Sequence, residues 1–119
     1  MRYMSMIKLN ENAGQAPPAL FEAIAALGEE ATKAGVLVEQ GGLLPSAMGA
    51  RVRLAGDRIS VNDGPFTDGK EVVGGYAVFD VPSKQEALDW ATRFMEAHKQ
   101  HWPGFEGEAE VRQMFESPA

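Results

Sequence analysis

The strongest constraint on this chain is an order of elements that occurs twice: strand, helix, strand. The clearer instance starts at 75-GYAVFDV-81, an apolar strand followed at once by Ser83 and Glu86 at the spacing of a capping box. Ala87, Leu88, Ala91, Phe94, Met95 and His98 then recur at helical spacing on one stripe, until Pro103 and Gly104 stop the helix. Residues 108–115, EAEVRQMF, alternate as a closing strand. The other instance opens with 2–9, RYMSMIKL, a strand with Tyr3, Ile7 and Leu9 on one side and Met4 and Met6 on the other. Pro17 and Pro18 begin its helix, where a missing N–H costs nothing. Leu20, Ile24, Leu27, Ala31 and Ala34 form the apolar stripe, and Gly35 ends it before the strand 36–40, VLVEQ. Between the halves, ARVRLA (50–55) and RISVN (58–62) read as a hairpin around Gly56-Asp57. Arg51 and Arg53 alternate there with Val52 and Leu54, so one hairpin face is wet. This order predicts an α+β fold: a ferredoxin-like protomer, β-α-β, hairpin insert, β-α-β, with both helices on one face of the sheet.

The parity of each strand assigns its faces. Ala77, Phe79 and Val81 suit the helix side, as do Val36, Val38, Val111 and Phe115. The open face then carries Met4, Met6, Leu37, Glu39, Tyr76, Val78, Glu110, Arg112 and Met114, too apolar a set to leave in water. A second copy packed face to face is the simplest cover, so the chain is expected to be a homodimer.

Composition narrows the function classes. At 119 residues the chain has room for one domain, taken as 1–119. With no cysteine it has neither disulfide nor thiolate, which suits a cytoplasmic protein. No apolar run is long enough for a bilayer, and no membrane partner is expected. The net charge is −6, and all of the excess lies in residues 61–119, with five Lys/Arg against eleven Asp/Glu. Such a chain repels phosphate backbones, so nucleic acid is not expected as a partner.

Four stretches carry a family resemblance: 63-DGPF-66, the following 70-KEVVGGY-76, the opening MRYMSMIK and the ending 107-GEAEVRQM-114. Together they resemble the YCII-related family, in its DGPF-containing branch, over nearly the whole chain. The resemblance implies a dimeric α+β-barrel built from ferredoxin-like protomers, and a largely uncharacterised protein sometimes suggested to be an enzyme. Some relatives pair a histidine near the first helix with an aspartate on a neighbouring strand. Residues 17–34 contain no histidine here, and the second strand offers Glu39, so that dyad does not carry over.

The remaining chemistry is sparse. Asp63 either accepts local backbone N–H bonds in an Asn-Asp-Gly-Pro turn or is aimed into a pocket by Gly64-Pro65. Phe66 anchors the loop. Gly74 and Gly75 mark a strand bulge or a close ligand approach. His98 continues the apolar stripe near the helix C-terminus and reads as structural, while His101 stands beside Trp102 and Phe105 as the candidate base at a pocket rim. Glu110 and Arg112 share a strand face with Tyr76 and Glu39, either as an interface ion network or as a ligand grip. No metal pattern is present beyond a conceivable Asp63–Asp68 carboxylate pair, and no cofactor is expected. Two functions follow. In one, the dimer cleft binds a small anionic or aromatic metabolite, with Asp63 and His101 as catalytic groups and Glu39, Tyr76, Glu110 and Arg112 as ligand-binding ones, for a proton-transfer or lyase-like step. In the other, the chain is a non-catalytic binding or regulatory module whose polar sheet face serves only assembly.

Overall fold

The computed structural model describes residues 1–66 and 71–116. The elements run β1 (Arg2–Leu9), α1 (Pro18–Lys33), β2 (Leu37–Gly42), β3 (Ala50–Ala55), β4 (Arg58–Asp63), β5 (Val72–Asp80), α2 (Lys84–His101) and β6 (Gly107–Gln113), with short 3-10 turns at Glu11–Ala13 and Ser46–Met48. Four strands form one sheet in the order β2-β5-β1-β6, each neighbouring pair antiparallel. The leading strand of each half lies at the centre and the trailing strand at an edge. This is the ferredoxin-like α+β architecture that the order of elements predicts.

Local chemistry accounts for the element ends. Pro18 occupies the first turn of α1, and Gly35 follows its last turn at φ +74, the left-handed value glycine adopts without strain. The Ser83 side chain accepts the Glu86 N–H at 3.2 Å and caps α2. The hairpin turn has Gly56 at φ +56 and Asp57 at φ +63, the two positive values a tight primed turn demands.

Both helices cover the same face. Tyr3 of β1, Phe79 and Val81 of β5 and its end, Ala31 of α1 and Ala87 of α2 form the buried core, with Val36, Leu37, Ala77, Trp90 and Val111 packed against it. Trp90 lies nearly parallel to Phe79, centroids 6.2 Å apart. Side chains of this size contribute about 1.5–3 kcal/mol each when fully buried.

Three strand assignments differ from the parity reading. Leu37 pairs with Phe79 and packs into the core, because the β2–β5 register skips Val38. That bulge turns Val38, 45% exposed, out of the core and leaves Glu39 opposite Val78 on the open face. Phe115 lies beyond the end of β6 and is fully exposed, so it does not reach the helix side. The hairpin is a two-stranded sheet of its own, exposed on both faces and not on one alone. Its pairs Val52–Val61 and Leu54–Ile59 make one apolar face, each residue 66–72% exposed. The projecting hairpin helps bring the radius of gyration to 16.0 Å, against about 13.5 Å for a compact chain of this length.

Candidate functional site

The six residues singled out from the sequence fall into separate places. On the open face, the Tyr76 hydroxyl donates to Glu39 Oε1 at 2.8 Å. That bond, with some desolvation, raises the pKa of the phenol. Across the same face, Lys8 bonds Glu110, and Arg112 Nε lies 3.6 Å from the other oxygen of Glu110. The hydrogen bond to Lys8 holds the Glu110 carboxyl below its usual range and raises the Lys8 ammonium in return. Met4, Met6 and Val78 lie on this face with the two polar groups. Lys8 was legible as a member: it shares the parity of Met4 and Met6. Asp63 ends β4 opposite Ala50, exposed and apart from both groups. His101 is the last residue of α2 and half-buried. Asp68 lies outside the described residues; among those described, no three His, Cys, Asp or Glu side chains converge as a metal site would require.

The 63–66 run is instead a clasp. Gly64 N–H donates to the Gly49 carbonyl at 2.9 Å, and the Gly64–Pro65 peptide is cis. Phe66 N–H donates to Ser46 Oγ at 3.1 Å, and the Arg51 guanidinium lies 3.9 Å above the Phe66 ring. Ser46 in turn donates its N–H at 2.6 Å, and its hydroxyl, to the Glu11 carboxylate. Those bonds keep the Glu11 carboxyl below its usual range. The clasp therefore joins the loop after β4 to the segment after β1.

That segment borders a cavity of about 640 Å³ between the helix face of the sheet and the two helices. Ser5, Ile7, Ala77 and Phe79 face it from the strands, and Leu20, Ile24, Leu27 and Gly28 from α1. Trp90, Phe94 and His98 of α2 line it, as do Trp102 and Phe105 beyond the helix. Gln15, Gln40 and the exposed Leu43 and Leu44 border it as well. Of the six residues chosen from sequence, Tyr76 alone touches it. Gln40 packs over Gly28: a Cβ there would meet Gln40 Nε2 at 2.4 Å, so a larger residue would require the Gln40 side chain to swing aside. No lysine or arginine is among the described lining residues, and the carboxylate of Glu11 is occupied by Ser46. The size and lining match those of small-molecule sites.

His98, which the α2 stripe places inward as a structural residue, is buried as expected and also lines the cavity. It is 5% exposed, between Phe94 and Phe105 with centroids 4.6 and 4.9 Å away. Nδ1 lies 2.9 Å from the Phe94 carbonyl oxygen, which only accepts, so Nδ1 carries the proton. Burial pushes its pKa below the usual imidazole value, against a smaller opposing effect of the Phe94 bond. The ring is thus neutral at pH 7, not the cation that a helix C-terminus favours. In the unfolded chain the histidine takes its proton near pH 6.5. Its contribution to stability is therefore complete above about pH 6.5 and is lost as pH falls through the depressed folded value. Melting followed between pH 7.5 and 5.5 is expected to show a steeper loss for the wild type than for His98→Phe, which has nothing to protonate at that position; equal slopes overturn the assignment.

The sequence matches the family model described as the YCII-related domain over residues 1–103. No curated protein matches the chain. Among the described residues, no helix is long and apolar enough to cross a membrane.

Proposed function

Since the chain belongs to the YCII-related family, we propose that it binds a small aromatic molecule in the cavity between its sheet and helices, as a homodimer. The observation that carries this reading is the cavity itself: about 640 Å³, walled by aromatic and aliphatic side chains, with a few polar groups. An anionic ligand is disfavoured, because no cationic side chain among the described residues lines the cavity to offset desolvation of the charge. The Glu39–Tyr76 and Lys8–Glu110–Arg112 groups are satisfied among themselves and serve assembly. The proton-transfer reading keeps one support, a neutral histidine on the cavity wall.

Ala77 tests the cavity. It faces the helices from the central strand β5, and a branched side chain suits a strand. Ala77→Ile is expected to leave melting temperature unchanged or raised while abolishing the thermal shift produced by aromatic ligands, since binding to the folded state alone raises melting temperature. A variant that binds as well as the wild type would place the ligand elsewhere. A homodimer is supported by the aliphatic face of the hairpin, which has no cover in the single chain, and by the half-buried Met4 and Met6 on the open face of the sheet.

A further inference from the structure

Resting on that reading of the cavity, we infer that His98 Nε2 is the ligand's hydrogen-bond acceptor, so that the cavity takes a neutral aromatic molecule carrying a hydroxyl or N–H donor. The argument starts from the proton. Nδ1 spends it on the Phe94 carbonyl at 2.9 Å, which leaves a lone pair on Nε2. No side chain or backbone donor among the described residues reaches that nitrogen. It is also not sealed into the protein, because among the described residues no buried side-chain nitrogen or oxygen lacks a partner. A residue 95% removed from solvent thus keeps an open acceptor, and it forms part of the wall of the 640 Å³ cavity and of a smaller cleft.

The surroundings restrict what meets that acceptor. Phe94 and Phe105 hold the imidazole from two sides, tilted 54° and 42° to it, and Trp102 packs on Phe105 at 4.7 Å. These aromatics share the cavity wall with His98. Flat apolar walls favour a planar ring, since aromatic pairs gain beyond their buried area. An acceptor left open in such a place favours a donor on that ring, because a buried polar group without a partner is costly. The reading needs no charge on the ligand, in keeping with a wall free of lysine and arginine among the described residues.

The test uses two probes of similar shape, 2-naphthol and 2-methylnaphthalene, which differ in the donor. Binding is measured to the full-length wild type, to His98→Phe, which keeps an aromatic ring beside Phe94 and Phe105, and to His98→Gln, whose amide oxygen replaces Nε2 as acceptor. The quantity read is the ratio of the two affinities, so that a general change in cavity shape cancels. The ratio is expected to fall about tenfold in His98→Phe, the size of one net hydrogen bond, and to recover in His98→Gln. The wild type supplies a readout that needs no variant: the 15N resonance of His98 Nε2, one of two histidines in the chain, moves away from its lone-pair position on adding 2-naphthol and stays for 2-methylnaphthalene. If both probes bind but the ratio is unchanged in His98→Phe, or the resonance does not move, the role of His98 is overturned and the cavity reading stands. If neither probe binds the wild type, the cavity reading falls, and this inference with it.

Discussion

Gly64→Ala is expected to undo the clasp between the loop after β4 and the 46–49 turn. A Cβ at position 64 would stand 1.7 Å from the Ser46 carbonyl oxygen and 2.6 Å from its carbon, both backbone atoms that no rotamer change can move. The chain must shift there, and the Gly64–Gly49 and Phe66–Ser46 hydrogen bonds go with it. Overpacking of this kind costs about 1–3 kcal/mol, which for a chain between the 100- and 150-residue classes lowers the melting temperature by roughly 3–6 °C per kcal/mol. Ser46→Ala offers a milder cut: it removes the hydroxyl that joins Phe66 to Glu11 while leaving the backbone unstrained. Gly64→Ala should be the worse of the two. Calorimetry that finds Gly64→Ala as stable as the wild type would refute the steric account of this motif.

Ile59→Glu is expected to separate the proposed dimer. Val52, Leu54, Ile59 and Val61 are all at least 66% exposed in the single chain, and among the described residues the hairpin carrying them belongs to no larger sheet. A lone two-stranded hairpin is marginal in water, so an aliphatic face of this kind calls for a cover. Charge favours a second copy. Residues 50–63 carry three arginines and two aspartates, whereas the rest of the chain carries eight Lys/Arg against fifteen Asp/Glu. In the proposed dimer a slightly basic arm would meet an acidic body in the partner. A buried glutamate loses the aliphatic contact and brings an unpaired charge, and the dimer dissociation constant should weaken by about 100-fold or more, on the order of 2.7 kcal/mol. Light scattering of both proteins at micromolar concentration decides it. A monomeric wild type removes the dimer from the proposal, and a variant that stays fully dimeric removes the hairpin from the interface.

The Asp-Gly-Pro-Phe run shows how far sequence reasoning reached. It marks a turn and a family resemblance, and it draws attention to Asp63 because a carboxylate can do chemistry. In the structure the specific contacts belong to its neighbours. Gly64 is held by the approach of a backbone carbonyl, and Phe66 lies under Arg51. Residue type advertises reactivity, but close approach is a property of two distant segments, and the 46–49 turn cannot be read from residues 63–66. The histidines repeat the lesson. His101, the more exposed of the two and flanked by aromatics in sequence, suggests a pocket rim, whereas the structure brings His98 to the cavity wall. The α2 stripe already placed His98 inward; what it lacked was any sign that the space in front of it is open.

Elements, caps and connectivity follow from the sequence because their causes are local. Apolar periodicity, prolines at the start of α1, Gly35 beyond its end, Ser83 capping α2 and the Gly56-Asp57 turn each act within a few residues. Sheet faces follow only while the alternation is unbroken. In β2, skipping Val38 puts Leu37 in the core, and in β5 the register passes over Gly74, leaving Val73 opposite Lys8. One inserted residue reverses a side because the strand period is two. The Glu39–Tyr76 bond, the Lys8–Glu110–Arg112 group and the cavity belong to the tertiary structure alone, since each depends on distances between elements far apart in the chain. A cavity is the space that packed elements leave unfilled, and no single helix or strand encodes it.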